Sequence, residues 1–189
     1  MLTKKLNRNF FNQSKFSRGI VYFCERLVPY SVPELYSTVI DVTKYRQIFP
    51  WISETEITKI WGSIHNRDIF FSKQKIKFGI FGGYLYSIVV GRKPNSIIAY
   101  WPPNEALKIP TAIEKFPSFV RSHRTSWEFI GNYKYGLTKV SCKLEFEFDT
   151  ILMNKIAQRY IKDMTETTIN TLIDHIKKSK SLNTYSLNI

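Results

Sequence analysis

The sequence predicts an α+β protein: a curved antiparallel sheet of about seven strands folded around one long C-terminal helix, with two short helices after the first strand. Three observations carry that expectation. Side chains alternate between apolar and polar through much of the stretch from Thr55 to Tyr100, and again in RTSWEFIG and KVSCKLEFEFD, as half-buried antiparallel strands require. From Ile151 to about Lys178 there is neither glycine nor proline, and Leu152, Ile156, Tyr160, Met164, Ile169, Leu172 and Ile176 recur at helical spacing. Between the first strand and the alternating region, Ser31 followed by Glu34 forms a capping box.

In chain order, IVYFCERLV at 20–28 is β-branched and aromatic and ends at a proline turn, so it reads as a strand. Pro33 is tolerated in the first turn of the helix that Ser31 caps, and Leu35, Val39 and Ile40 supply its apolar face. Asp41 or Thr43 can cap a second short helix with Tyr45, Ile48 and Phe49 on its apolar side, which Pro50 ends. In KQKIKFGIFGGYLYSIVV, Ile76, Phe78 and Ile80 share one face and Lys75 and Lys77 the other, with Gly82-Gly83 expected at the hairpin turn. The segment PPNEALKIPTAIEKFPSFV carries four prolines, which exclude a central strand or a long helix, and reads as an ordered loop or lid. RTSWEFIG then pairs with the strand in which Val140, Cys142, Leu144, Phe146 and Phe148 point inward while Lys143, Glu145 and Glu147 face solvent. The terminal helix, capped at Asp149 or Thr150, spans about 40 Å. The domain is thus expected at 20–178, with a loose polar tail at 179–189.

At 189 residues, 43% of them hydrophobic, the chain can bury a core as one domain. With 28 Lys+Arg against 15 Asp+Glu, a formal charge of +13, it is drawn to polyanions or to an anionic membrane surface. Residues 1–19 carry Lys4, Lys5, Arg8, Lys15 and Arg18 and no acid, with Leu2, Leu6 and Phe10 at helical spacing, which reads as a mitochondrial transit segment or a basic arm. No apolar run reaches the roughly 20 residues of a membrane span, so membrane contact is expected to be peripheral. The two cysteines, Cys24 and Cys142, read as free thiols in a reducing compartment.

A sheet wrapped around a helix leaves a space that the short helices close at one end. Phe49, Pro50 and Trp51 are expected at its mouth, and Phe78, Phe81, Tyr86, Trp127, Phe129, Phe146 and Phe148 crowd its walls. Leu152, Ile156 and Tyr160 are expected on the helix face nearest Trp51. Catalysis finds little support: His65, His123 and His175 have no Ser, Cys or Asp at a motif spacing and read as surface residues, and neither cysteine has zinc-site neighbours. FGIFGG lacks the Lys-Ser or Lys-Thr of a phosphate loop. A binding protein without enzymatic activity, metal or cofactor is the expectation.

VPYSVPELYSTVIDVTKYRQIFPW, KFGIFGGYLYSIV, SWEFI and KLEFEFDTILMNKIA together resemble the coenzyme Q-binding proteins of the START and polyketide-cyclase superfamily, over about Tyr22 to Ile176. Arg46 replaces that family's proline, Ile52 its cysteine, and the segment between Trp101 and Arg121 is longer than the usual connection. The resemblance implies a helix-grip fold and a polyprenyl quinone held in the cavity near Trp51, Phe78, Phe81 and the start of the terminal helix. It also implies a carrier or chaperone serving respiration and quinone biosynthesis at the matrix face of the mitochondrial inner membrane, with quinone-biosynthesis or respiratory complexes as further partners. Lys73, Lys75, Lys77 and Arg92 would then hold the protein on anionic lipid. The alternatives are another lipid, a related ribosome-binding toxin whose basic surface meets RNA phosphates, with nucleic acid the weaker expectation, or an aromatase/cyclase, which needs an acid or base inside the cavity. Protein isolated from mitochondria is expected to begin near residue 20 on amino-terminal sequencing, whereas a cytosolic protein retaining 1–19 contradicts the transit reading.

Overall fold

In a computed structural model the described residues are 19–64, 67–101 and 120–186, and the side chains at 61–64, 78, 81 and 182–186 stand outside the description. The basic arm and the proline-rich loop predicted as a lid therefore lie outside the described residues, apart from their flanking positions.

Strand β1 (Ile20–Val28) leads into helix α1 (Val32–Ile40), where the Ser31 hydroxyl accepts from the Glu34 amide at 3.4 Å, the capping contact that the sequence predicts. A single 3-10 turn at Val42–Lys44 runs into α2 (Tyr45–Ile48), a four-residue helix closed by the extended backbone of Phe49 ahead of Pro50. Strands β2 (Ile52–Ile64), β3 (Arg67–Phe78), β4 (Phe81–Arg92), β5 (Ser96–Trp101), β6 (Ser122–Lys134) and β7 (Leu137–Glu147) follow, and α3 (Ile151–Ser186) ends the described chain. All pairings are antiparallel, in the order β1-β7-β6-β5-β4-β3-β2, so β1 crosses beside β7 and the other strands meander. This is the predicted helix-grip architecture.

One face of the sheet and one face of α3 make the core. Cys24, Trp127, Phe129, Val140, Cys142 and Leu144 are buried in the same cluster as Ala157, Ile161, Met164, Ile169, Leu172 and Ile176 of the helix. Burying an apolar side chain is worth about 2 kcal/mol, so this face supplies the main driving force for folding. Cys24 and Cys142 sit opposite each other in the β1–β7 register, both free, with burial pushing both thiols up and out of the reactive range.

Three local expectations change. The β3–β4 turn is Gly79-Ile80, with Phe78 paired to Phe81 and Gly79 at φ 58°, so Gly82 and Gly83 lie inside β4 and Ile80 is 70% exposed at the tip instead of inward. Only glycine adopts that φ without strain, and it lets the Tyr160 ring lie against the turn: a Cβ on Gly79 would meet the ring at 2.8 Å. Helix α3 continues past Lys178 to Ser186, because no breaker intervenes and Lys180 is tied to α1 by an ion pair with Glu34 at 2.9 Å and by the Tyr30 ring at 4.8 Å. Glu145, expected in solvent, is 2% exposed on the outer face of β7, where Lys143 stands 3.1 Å and Arg124 3.9 Å away.

Helix α1 closes one end of the sheet through a close approach. Gly91 on β4 has no side chain where the Tyr36 hydroxyl lies, and that hydroxyl donates to Asp68 at 3.0 Å while Lys93 pairs with the other carboxylate oxygen at 3.0 Å. A Cβ on Gly91 would fall 2.2 Å from the Tyr36 oxygen. Gly91→Ala is therefore expected to cost about 2 kcal/mol, read as a lower urea midpoint, and Tyr36→Phe in the same chain should recover part of it. An unchanged midpoint contradicts this packing.

Candidate functional site

A cavity of about 70 Å³ lies between the sheet and α3 at the corner where α2 meets β2. The corner is aromatic: Tyr45 meets Phe49 edge-on with ring centres 4.9 Å apart, and Phe49 stacks on Trp51 at 5.5 Å. The Tyr45 hydroxyl donates to the Val39 carbonyl at 2.6 Å, which fixes the ring against α1. The opposite wall is Trp127 and Phe146, from β6 and β7, and the roof is Met164 and Thr168 of α3. Thr168 satisfies its own hydroxyl on the Met164 carbonyl at 2.6 Å and so presents carbon to the cavity.

Of the ten ligand-near residues predicted from the sequence, Phe49, Trp51, Trp127 and Phe146 line this cavity. Phe78 and Phe81 occupy the hairpin ends, but their side chains lie outside the described residues. Tyr86 does not line it. In β4 the inward phase belongs to Leu85, Ser87 and Val89, and Tyr86 packs on the outer face with Phe71, Ile88 and Trp101. Leu152 is 67% exposed and faces away from the sheet, while Ile156 and Tyr160 are half-buried beside the core without lining the cavity. A spacing of four residues overshoots a helical turn by about 40°, so Leu152, three such spacings before Met164, lies about 120° off the buried face. The buried phase runs through Ala157, Ile161, Met164 and Thr168 instead.

The basic quartet also divides. Lys73, Lys75 and Lys77 share the outer face near the hairpin tip, with Lys75 paired to Glu54 at 2.8 Å and Lys73 over the Tyr84 ring at 4.3 Å. Arg92 stands opposite Arg67 at the far end of that ladder, roughly 20 to 33 Å from the three lysines, and lines an outer hollow with Lys93 and Arg124, so the four do not form one surface.

A buried polar strip was missed. Gln74, Ser87 and His123 line the cavity, and Ser72 lies beside Ser87 as its cross-strand partner, all four 7% exposed or less. His123 was expected on the surface, yet it is 1% exposed, its ring stacked on Phe146 at 5.9 Å and its Nε2 2.8 Å from the Tyr86 carbonyl oxygen and 3.4 Å from the Ser87 hydroxyl. The signal was present: Trp127 and Phe129 point inward, and the same period of two carries that phase back to His123. His175 is half-buried on α3, and His65 lies outside the described residues.

Burial pushes the His123 imidazole down to about 4, against the opposing pull of its bond to the Tyr86 carbonyl. The unfolded chain therefore binds a proton near pH 6.5 that the folded chain refuses, and stability falls as the pH drops below that value. Between pH 6.5 and 5 the loss is expected to be about 2 kcal/mol, read from melting temperatures, with a shallower decline in His123→Gln. Parallel curves contradict the buried neutral imidazole.

The fold is shared with solved proteins of low sequence identity. The di-domain aromatase/cyclase StfQ of the steffimycin biosynthetic pathway superposes with a TM-score of 0.62 at 11% identity over 86% of this chain, which spans 52% of StfQ. The Zhui aromatase/cyclase from Streptomyces sp. R1128 gives 0.64 at 9% identity, covering 85% of this chain and 94% of Zhui. A START superfamily protein from Mycobacterium smegmatis gives 0.65 at 12%, covering 84% and 97%. No curated protein matches by sequence. Two of these neighbours are aromatase/cyclases, which overturns the expectation that the protein is not an enzyme: the fold serves catalysis as well as binding, and His123 is a titratable group inside the cavity of the kind that expectation found missing. A family profile described as polyketide cyclase / dehydrase and lipid transport matches residues 28–173, and the chain belongs to that family.

Proposed function

We propose that the cavity binds a prenylated aromatic lipid of the coenzyme Q type, with the ring among Phe49, Trp127 and Phe146 and the hydrocarbon tail leaving past Trp51. The observation that carries this reading is the cavity wall itself, aromatic and aliphatic on nearly every side with one short polar strip, which suits a ring bearing a few oxygens on an apolar chain. Each Å² of tail taken from water contributes about 25 cal/mol. At about 70 Å³ the space is smaller than the 300 Å³ or more that a bound organic molecule fills, so loading requires the α2–β2 corner to move outward. That corner suits such a motion, being a four-residue helix followed by Pro50 and the half-buried Trp51.

No helix among the described residues is long and apolar enough to cross a membrane. The proposed delivery route is contact of the basic surface, Lys73 and Lys77 included, with anionic lipid at the matrix face of the mitochondrial inner membrane, where such a carrier would supply respiration and quinone biosynthesis. A second reading, favoured by His123 within the wall and by the aromatase/cyclase neighbours, is that the cavity folds a polyketide-type chain for ring closure with loss of water.

Organic extraction of the purified full chain followed by mass spectrometry is the test. A prenylated quinone, quinol or phenol near one per protein is expected, and an extract holding only bulk phospholipid contradicts the proposal. Conversion of a linear polyketide precursor to a cyclised, dehydrated product would instead establish the second reading. Trp51→Ala is expected to lower ligand retention about tenfold with little change in melting temperature, because it removes a stacking face at the rim.

A further inference from the structure

The wall of the cavity holds one polar atom whose hydrogen-bonding sense is fixed. His123 Nε2 lies 2.8 Å from the Tyr86 carbonyl oxygen, and a carbonyl only accepts, so the ring proton is on Nε2. Nδ1 is then a bare lone pair, and it is buried without a hydrogen-bond partner among the described residues. A buried polar atom left unpaired costs about 1–3 kcal/mol, which makes Nδ1 a place where a bound molecule has something to gain. The other polar groups of the strip do not choose between donors and acceptors. The Ser72 hydroxyl, also buried and without a partner among the described residues, can do either, as can the Ser87 hydroxyl and the Gln74 amide.

Resting on the proposed binding of a quinone-type lipid, we infer that the cavity selects the hydroxyl-bearing form of the head group, a hydroquinone or a prenylated phenol, over the fully oxidised quinone, with the ligand O–H donating to His123 Nδ1. A quinone carbonyl would oppose its own lone pair to that of Nδ1, whereas an aromatic hydroxyl supplies the missing proton and can accept in turn from Ser87. The imidazole cannot adapt by taking a second proton, because burial against Phe146 and the strands disfavours the charged ring at neutral pH. A water on Nδ1 leads to the same preference: a ligand hydroxyl reproduces its hydrogen bond on displacing it, and a carbonyl does not.

The experiment uses the full chain under anaerobic conditions and three probes with the same saturated alkyl tail: a dimethoxy-benzoquinone, its hydroquinone, and the corresponding phenol. Affinities are read from tryptophan fluorescence, and the wild-type His123 ring is followed by nitrogen-15 NMR. The hydroquinone and the phenol are expected to bind about tenfold tighter than the quinone, and both should move the Nδ1 resonance where the quinone does not. In His123→Phe the ratio of hydroquinone to quinone affinity should fall from about ten to near one. If the quinone binds as well as or better than the hydroquinone to the wild type, or if Nδ1 is unmoved by the hydroquinone, the inference fails and the lipid-binding reading survives. If none of the three probes binds, that reading fails and takes the inference with it.

Discussion

The structure depends on one burial: the apolar face of α3 laid into the concave face of a single sheet. A 36-residue helix is stable in water chiefly through such packing, and a sheet with one apolar face is equally incomplete alone. Helix α3 packs against β1 and β7 and touches α2, so its far side stands over β3 and β4 without filling the space above them. The remaining elements follow from that geometry. Helix α1 closes one end by approaching Gly91, and the Phe49–Trp51 corner closes the other boundary of the gap. The cavity is where a straight helix and a twisted sheet part company.

A gap of this kind usually collapses into core, and here the polar strip opposes collapse. Ser72, Gln74, Ser87 and His123 cannot be packed against hydrocarbon without cost, and two of them keep a buried atom unpaired among the described residues. On α3, by contrast, Thr165 and Thr168 satisfy their buried hydroxyls on the preceding turn at 2.7 and 2.6 Å.

Much of the fold is legible from local rules. The first strand, the Ser31 cap, the end of α2 at Pro50 and the inward phase of β7 are each set by neighbours in sequence, and the structure keeps them. The site is half legible. Phe49 and Trp51 follow from the helix ending, and Trp127 and Phe146 from strand alternation, but Tyr86 lies on the outer face of β4, where Leu85, Ser87 and Val89 take the inward phase. Leu152 failed because small errors of helical phase accumulate over turns. His123 shows the reverse. Its position was readable by extending the phase of Trp127, yet the three-dimensional fact that gives it meaning, a bond to the Tyr86 carbonyl two strands away in the sheet, has no local signature. The basic residues near 73–77 and Arg92 were grouped by charge, and only the register of β3 on β4 separates them.

The central claim is that a hydrophobic ring enters between the sheet and α3. Hydrogen exchange on the full chain with and without an alkyl hydroquinone tests it most directly. The account predicts slower exchange in β4 around Leu85–Val89 and in α3 around Met164–Thr168 when the ligand is bound, because both walls of the cavity are then held closed over the ring. Saturable binding with protection confined to the outer face of the sheet, and none in those two segments, would contradict it.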